Sequence, residues 1–254
     1  MLSSLFAQAQ TLISGVVMDT LNNAVEFVNI GFKEKGIGTV CDADGRFSLM
    51  VPDSLKEEFI TFSHINYKTR HLQIDDIRKT NSIVLENKQI ELSDVIVLPQ
   101  NTSTKWIRKG FRVINGSCYF ENLGAEAGIV LKLNKKTLLR EVKFTVKNCS
   151  YDSVLIRVNI YKLKDIEPIY LHSPLHKMVY KNKKTSNHNL VINEQLVLNQ
   201  EKVLVGIECV QVFGEGDIHF PAFIGAGYAR EISLDQLEKT PFNPGVAVKV
   251  TSIN

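Results

Sequence analysis

Apolar and polar residues alternate one by one along most of this chain. Phe47, Leu49 and Val51 alternate with Arg46, Ser48 and Met50. Val142, Phe144 and Val146 alternate with Glu141, Lys143, Thr145 and Lys147. Val154, Ile156, Val158 and Ile160 alternate with Ser153, Leu155, Arg157 and Asn159. A period of two puts one set of side chains on one face of an extended segment, so these runs predict half-buried strands. The first hundred residues predict further strands at 11–19, 26–32, 59–63, 67–74, 82–85 and 93–98. Later ones are predicted around Ile129 and Leu131, Leu190 and Ile192, 203–207, and Val246 to Val250. No convincing helix appears in the first part, and 233–239 has room for one helical turn. The expected fold is all-β: two antiparallel β-sandwiches, the second jelly-roll-like.

Turns punctuate the strands. Asp42-Ala43-Asp44-Gly45 is the sharpest, since Asp caps its own turn and Gly accepts a positive φ at no steric cost. With Gly38 just upstream, Gly38, Asp42, Asp44 and Gly45 are predicted to shape a β-hairpin between the two strands flanking them. Asp19 to Asn23 predicts a second polar turn, and Pro52-Asp53-Ser54 breaks the chain.

Charge divides the sequence. Residues 10–98 hold 9 Lys+Arg and 13 Asp+Glu, a net −4, whereas 105–254 hold 21 and 14, a net +7. This step predicts two units with different surfaces: 10–98 and 113–254, joined by a linker and basic aromatic strap over 99–112. The overall charge of +3 is too small to argue for nucleic acid. No run approaches the roughly 20 apolar residues of a membrane helix. Ala7-Gln8-Ala9 after a short apolar piece looks like the end of a secretory signal, so residues 1–9 are expected to be its remnant and Gln10 the mature start.

Catalytic chemistry finds little support. The six histidines form no zinc pattern: His172 and His176 are four apart, but Pro174 between them opposes a helix. His219 reads as a structural histidine. The four cysteines, Cys41, Cys118, Cys149 and Cys209, lack metal spacing. Cys149 and Cys209, flanking strand-like runs, are the pair placed to bridge a sandwich, but isolated buried thiols fit better. Asp42 to Gly45 starts like a calcium loop but lacks the later ligands. There is no nucleophile elbow, P-loop or dinucleotide fingerprint. Asp75-Asp76 and Glu57-Glu58 are sequence neighbours, which on strands face opposite ways and cannot form an acid–base pair. No catalytic residue, metal site or cofactor is expected. Two surface features remain. Lys105, Arg108, Lys109 and Arg112, with Lys177, Lys181, Lys183 and Lys184, form a candidate patch for an anionic partner. Trp106, Tyr119, Tyr151, Tyr161, Tyr170 and Tyr180 are candidate sugar-stacking aromatics.

Several ordered segments resemble the carboxypeptidase regulatory-like domain. They are Ile13-Ser14-Gly15-Val16-Val17-Met18-Asp19, Val28-Asn29-Ile30, Gly38 to Leu49, Phe62-Ser63-His64-Ile65-Asn66-Tyr67 and Leu92 to Val97. Cys41 stands where that family usually has Thr, and Asn66 where it usually has Gly, a replacement suited to a left-handed position. The resemblance covers 11–98 and implies a transthyretin-like β-sandwich of about seven strands, without catalysis of its own. It also implies an exported protein of a Gram-negative bacterium, periplasmic or associated with the outer membrane. The chain is too short for the barrel of a receptor that often carries this domain. The function expected is a non-catalytic binding or scaffolding protein of the cell envelope, with an envelope protein or glycan as partner. The alternatives are a carbohydrate-binding module of a glycan-uptake system and an unrecognised hydrolase on the second sandwich.

Overall fold

In the computed structural model, residues 10–88, 102–164, 167–168, 175–199 and 201–253 are described. The signal remnant expected at 1–9, the strand expected at 93–98, residues 99–101 of the expected linker, Tyr170, His172 and Pro174 lie outside them. The chain forms two compact units, Met1–Lys88 with Ile232–Gln236, and Gln89–Glu231 with Leu237–Asn254.

The first unit contains β1 (Gln10–Asp19), β2 (Asn29–Phe32), β3 (Ile37–Val40), β4 (Arg46–Pro52), β5 (Ile60–Ser63), β6 (Arg70–Leu72), helix α1 (Ile74–Thr80) and β7 (Ser82–Leu85). One sheet has the order β4-β1-β7 and the other β3-β2-β5-β6. A single core draws Ile13, Val17, Phe47, Leu49 and Ile83 from the first sheet, Ile30, Ile60 and Phe62 from the second, and Val28 from just before β2. The alternation of apolar positions thus fixes which face of each strand is buried.

Four expectations need correction here. The turn at Asp42 to Gly45 forms: Asp42 Oδ1 accepts from the backbone N–H of Asp44 at 2.9 Å and of Arg46 at 2.8 Å, and Gly45 has φ 73°. Its flanking strands, however, do not pair into a hairpin. β3 pairs β2 while β4 pairs β1, so the turn carries the chain between sheets. A period of two identifies a buried face and is silent about the partner strand. Gly38 is no turn residue either; it lies in β3 opposite Gly31. Asn66 is absent from the left-handed residues; its N–H donates to His64 Nδ1 at 3.2 Å within a turn. Finally, β7 runs parallel to β1, and the segment after Leu72 turns into α1, which buries Ile74 and Ile77. Asp75 and Asp76 occupy its first turn, where they favour the helix dipole, so strand alternation does not govern them.

The second unit contains β8 (Ser103–Arg108), β9 (Phe111–Tyr119), β10 (Glu126–Lys132), β11 (Thr137–Val146), β12 (Asn148–Lys162), β13 (Glu167–Pro168), β14 (Leu175–Asn182), β15 (Ser186–Val191), β16 (Val197–Leu198), β17 (Lys202–Phe213), β18 (Ile218–Arg230), β19 (Glu238–Asn243) and β20 (Ala247–Ser252). Among the described residues they form an eight-stranded sheet, with the path β13-β12-β17-β10-β18-β19 plus β14 and β9, and a five-stranded sheet, β15-β11-β20-β8 plus β16. Both supply one core, including Ile129, Val142, Phe144, Ile156, Val205 and Val248. The expected strap at 106–112 is instead strand: β8 pairs β20 from Ser103 to Arg108, with Ile107 packed on the core. Lys105 and Ile107 share one face of β8, Trp106 and Arg108 the other, and β20 offers an edge to pair. At 233–239 the expected helical turn is absent: the Ile232–Gln236 segment, counted with the first unit, makes one turn closed by the Asp235 N–H on the Ile232 carbonyl at 3.3 Å, with Leu234 at φ 62°, a left-handed value no α-helix uses, before β19 begins.

Candidate functional site

The strand period that buries one face of the eight-stranded sheet determines what stands on the other. On β12, Val154, Ile156, Val158 and Ile160 enter the core, so Arg157, Asn159 and Tyr161 face away. On β17, Val203, Val205 and Ile207 enter the core, so Glu208 faces away. Register then lines up five groups across five strands. His176 lies opposite Arg157, Arg157 opposite Glu208, Glu208 opposite Glu126, and Glu126 opposite Arg230.

This row is buried although it faces away from the main core. Glu126 is 1% exposed and Glu208 0%. Arg157 donates from Nε to Glu208 Oε2 at 3.0 Å. Arg230 Nη2 lies 2.7 Å from Glu126 Oε2 and 3.8 Å from Glu208 Oε1. Asn159 Nδ2 donates to both carboxylates, and Tyr161 Oη donates to Glu126 Oε2 at 3.0 Å. Among the described residues, Glu208 Oε1 and Arg230 Nε have no hydrogen-bond partner.

Burial is the largest influence on Glu126 and, with Glu208 beside it, raises its carboxyl despite the pull of Arg230, Asn159 and Tyr161. Burial and the Glu126 charge also raise the Tyr161 hydroxyl. The Arg230 charge is opposed by burial but held, on balance, by Glu126, Tyr161 and Glu208. Two carboxylates bridged by one amide resemble an acid–base pair in spacing alone. Enclosure of both, each matched by an arginine, suits a structural network better than contact with a substrate.

One end of the row reaches a cavity of about 230 Å³. Its wall includes Tyr119, Asn122, Glu126, Arg230, Thr240 and Phe242. Aromatic surface with a few convergent polar groups is the usual make-up of a small-ligand site. Among the described residues no His, Cys, Asp and Glu cluster is arranged to hold a metal ion.

The sequence candidates are scattered by comparison. Lys105 and Arg108 lie on β8 at one edge of the five-stranded sheet, Lys109 follows in the β8–β9 turn, and Arg112 is on β9. Lys177 and Lys181 are on β14, and Lys183 and Lys184 precede β15, at the opposite edge from β8. Lys181 is also 3.4 Å from Asp152. The basic residues therefore form two groups rather than one patch. Trp106, Tyr119 and Tyr180 are exposed, whereas Tyr161 is buried and Tyr151 packs against the core, so they make no common platform. His219 Nε2 lies 3.1 Å from Asp217 Oδ2, as suits a structural histidine. All four cysteines are free. Burial pushes the Cys209 thiol up to about 12. Cys41 Sγ accepts from the Val28 N–H at 3.0 Å and donates to the Val25 carbonyl at 3.2 Å. It thereby performs a hydroxyl's two bonds where the resemblance leads one to expect Thr.

Glu126, Arg157, Glu208 and Arg230 were not among the sequence candidates. A signal does exist: Glu208 interrupts a run from Val203 to Val210 that is otherwise without a polar side chain apart from Cys209, and Arg157 has Leu155 and Tyr161 on its own face. Charges on a strand with two apolar faces mark a covered outer face.

The ordered segments and the two-sheet core of the first unit agree with a comparison by sequence. A CarboxypepD_reg-like domain occupies residues 13–97. No curated protein matches the chain in sequence. Solved structures that resemble it include an isomalto-dextranase of Arthrobacter globiformis T6 complexed with panose, at 9% identity and TM-score 0.30, with 95% of this chain and 32% of that one covered. A structure of the infectious bursal disease virus Gx strain matches at 8% identity and TM-score 0.26, covering 100% of this chain and 53% of that one. A carbohydrate-binding module of the β-sandwich superfamily matches at 8% identity and TM-score 0.25, covering 89% and 98%. The chain spans about a third to a half of the first two. Likeness at these scores carries no argument about ligand or activity.

Proposed function

We propose that this chain is a non-catalytic binding or scaffolding protein of the cell envelope, exported by a Gram-negative bacterium to the periplasm or the outer membrane. The CarboxypepD_reg-like domain at residues 13–97 carries this reading. The second sandwich supports it, because its paired carboxylates, Glu126 and Glu208, are enclosed by arginines and withdrawn from solvent. Among the described residues no helix is long and apolar enough to cross a membrane. Expression from the natural start, followed by fractionation and mass spectrometry, tests the location. Recovery outside the cytoplasm with an N-terminus near Gln10 is expected, and intact Met1 on cytoplasmic protein overturns the reading.

A second reading, a glycan-binding module, has one observation in its favour: the cavity that brings Tyr119 and Phe242 together with Asn122 and Arg230. A glycan array separates the two. Selective binding that is lost in Phe242→Ala favours the glycan module.

A further inference from the structure

We infer that the β8–β9 edge of the second unit docks on an anionic lipid surface, with Phe111 and Ile114 entering the interface and the basic residues of that edge, Lys109 in the turn foremost, meeting headgroup phosphates. Phe111 is 85% exposed and Ile114 89%, the highest values among the large apolar residues described. Phe111 does not stand alone. It lies opposite Ile224 on β18, and Ile224 lies opposite Phe242 on β19, so three strands present one apolar row. Ile224 is 56% exposed and Phe242 46%. Contiguous exposed apolar surface of this kind marks a site of contact.

The row is held firmly. A Cβ on Gly110 would come 2.1 Å from the Ile224 carbonyl, so only glycine lets the β8–β9 turn lie against β18. Asn243 Nδ2 ties that turn down by donating to the Lys109 carbonyl at 3.5 Å and to the Gly225 carbonyl at 3.2 Å.

Charge decides the occupant. Residues 102–120 contain Lys105, Arg108, Lys109 and Arg112 and no carboxylate. The residues paired with β8 and β9 on β20 and β18 carry none either. Among the described residues none of the four cations forms an ion pair. Arg108 stands over the Phe223 ring at 5.5 Å, and Arg112, opposite Phe223, flanks the edge on the other face from Phe111. Basic residues beside exposed apolar ones combine headgroup attraction with burial of side chains at the acyl boundary. Phe111 and Ile114 stand out from the surface instead of lining a groove. A fluid hydrocarbon boundary closes round such tips, whereas an acidic protein partner would need matching pockets.

The proposal is separable from the export reading, because vesicle binding is measured on purified protein and location in cells. The full chain is sedimented with vesicles of phosphatidylcholine alone, or with about a third phosphatidylglycerol, at near-physiological salt. The expected result is roughly tenfold stronger partition onto the anionic vesicles. Phe111→Asp should lower that partition about tenfold, while Leu21→Asp, at a highly exposed position in the first unit, leaves it unchanged. Matching melting curves exclude misfolding. In a Trp106→Phe background, Phe111→Trp should shift its emission to the blue on anionic vesicles. No partition, equal partition onto both vesicles, an unaffected Phe111→Asp variant or an unshifted Trp emission would each overturn the proposal. Retention of the chain by an acidic protein surface without vesicle binding would do so in favour of a protein partner.

Discussion

Arg157 and Glu208 face each other across β12 and β17, and two guanidinium nitrogens, Nε at 3.0 Å and Nη2 at 2.8 Å, converge on one oxygen, Oε2. The side chains are 10% and 0% exposed. Desolvation of a buried pair cancels much of its attraction, so the pair as a whole contributes little net stability. Loss of one member is different, because it strands the other charge.

The first prediction follows from that asymmetry. Glu208→Ala should lower the stability of the second unit by about 3–5 kcal/mol. Arg157→Met combined with Glu208→Leu should recover most of the loss, since neither charge then remains to be satisfied. Urea denaturation of the parent, Arg157→Met, Glu208→Leu and the double variant measures the coupling, with Glu208→Ala alongside. A double variant as unstable as Glu208→Ala would show that the wider network with Asn159 and Arg230, rather than the pair, carries the effect.

His176 stands beside the same pair, and burial, followed by the Arg157 charge, lowers its pKa to about 4 against the partial pull of Glu208. An unfolded histidine takes its proton near pH 6.5, the folded one only near pH 4. The unfolded chain therefore binds more protons between these values, and stability falls as pH drops through that window. The contribution is about 1–3 kcal/mol, reduced from the full shift because the residue is not wholly buried. Glu126 acts in the opposite sense. Its raised pKa lets the folded state keep a proton that the unfolded chain has lost, so its contribution declines as pH rises above the usual carboxyl range. His176→Asn should flatten the fall in denaturation midpoint between pH 6.5 and 4, and an unchanged slope would assign that fall to other groups.

Much of this was legible in the chain. Phe47, Leu49 and Val51 bury their side chains as their alternation requires, and so do Val142, Phe144 and Val146. Partners were not legible. β3 and β4 flank one turn yet join different sheets, because alternation repeats identically whichever strand lies alongside. Leu72 and Ile74, two apart, suggest an extended segment after Leu72. Ile74 and Ile77, spaced three apart and both buried, carried the helical period instead. The row from His176 to Arg230 was hidden for a related reason. Its members lie on five strands far apart in sequence, and only register brings them side by side.

The turn at Asp42 to Gly45 allows a sharp separation of roles. Gly45 has φ 73°, and a Cβ there would come 2.4 Å from the Val17 carbonyl, so both backbone and space demand glycine. Gly45→Ala should cost about 1–3 kcal/mol, and Gly45→Val more, because a β-branched residue resists positive φ. Asp44 lends the turn only its backbone N–H, and its side chain is exposed. Asp44→Ala should stay within about 0.5 kcal/mol of the parent. Thermal melts of the three variants decide, and equal losses at Gly45 and Asp44 would refute the division.

The placement of β8 makes the last prediction, and it reverses an expectation drawn from composition. Residues 99–112 look like a linker: polar, basic and without a long apolar run. Were they only a linker, a fragment starting at 113 would contain the whole second sandwich. In the structure β8 pairs β20 over six residues, from Ser103 opposite Ser252 to Arg108 opposite Ala247. Ile107 packs against the core, and Lys249, on the neighbouring strand, sits 5.9 Å from the Trp106 ring. Removing β8 exposes the backbone edge of β20, whose Val248 and Val250 are core residues, and an uncovered apolar edge invites pairing with other chains. A fragment of 102–254 should therefore fold and remain soluble, whereas 113–254 should melt at a lower temperature and aggregate. Trypsin should be slow at Lys105 and Arg108, because cleavage requires a segment to leave its ladder. Rapid cutting at those two sites, together with equal stability of the two fragments, would restore the linker.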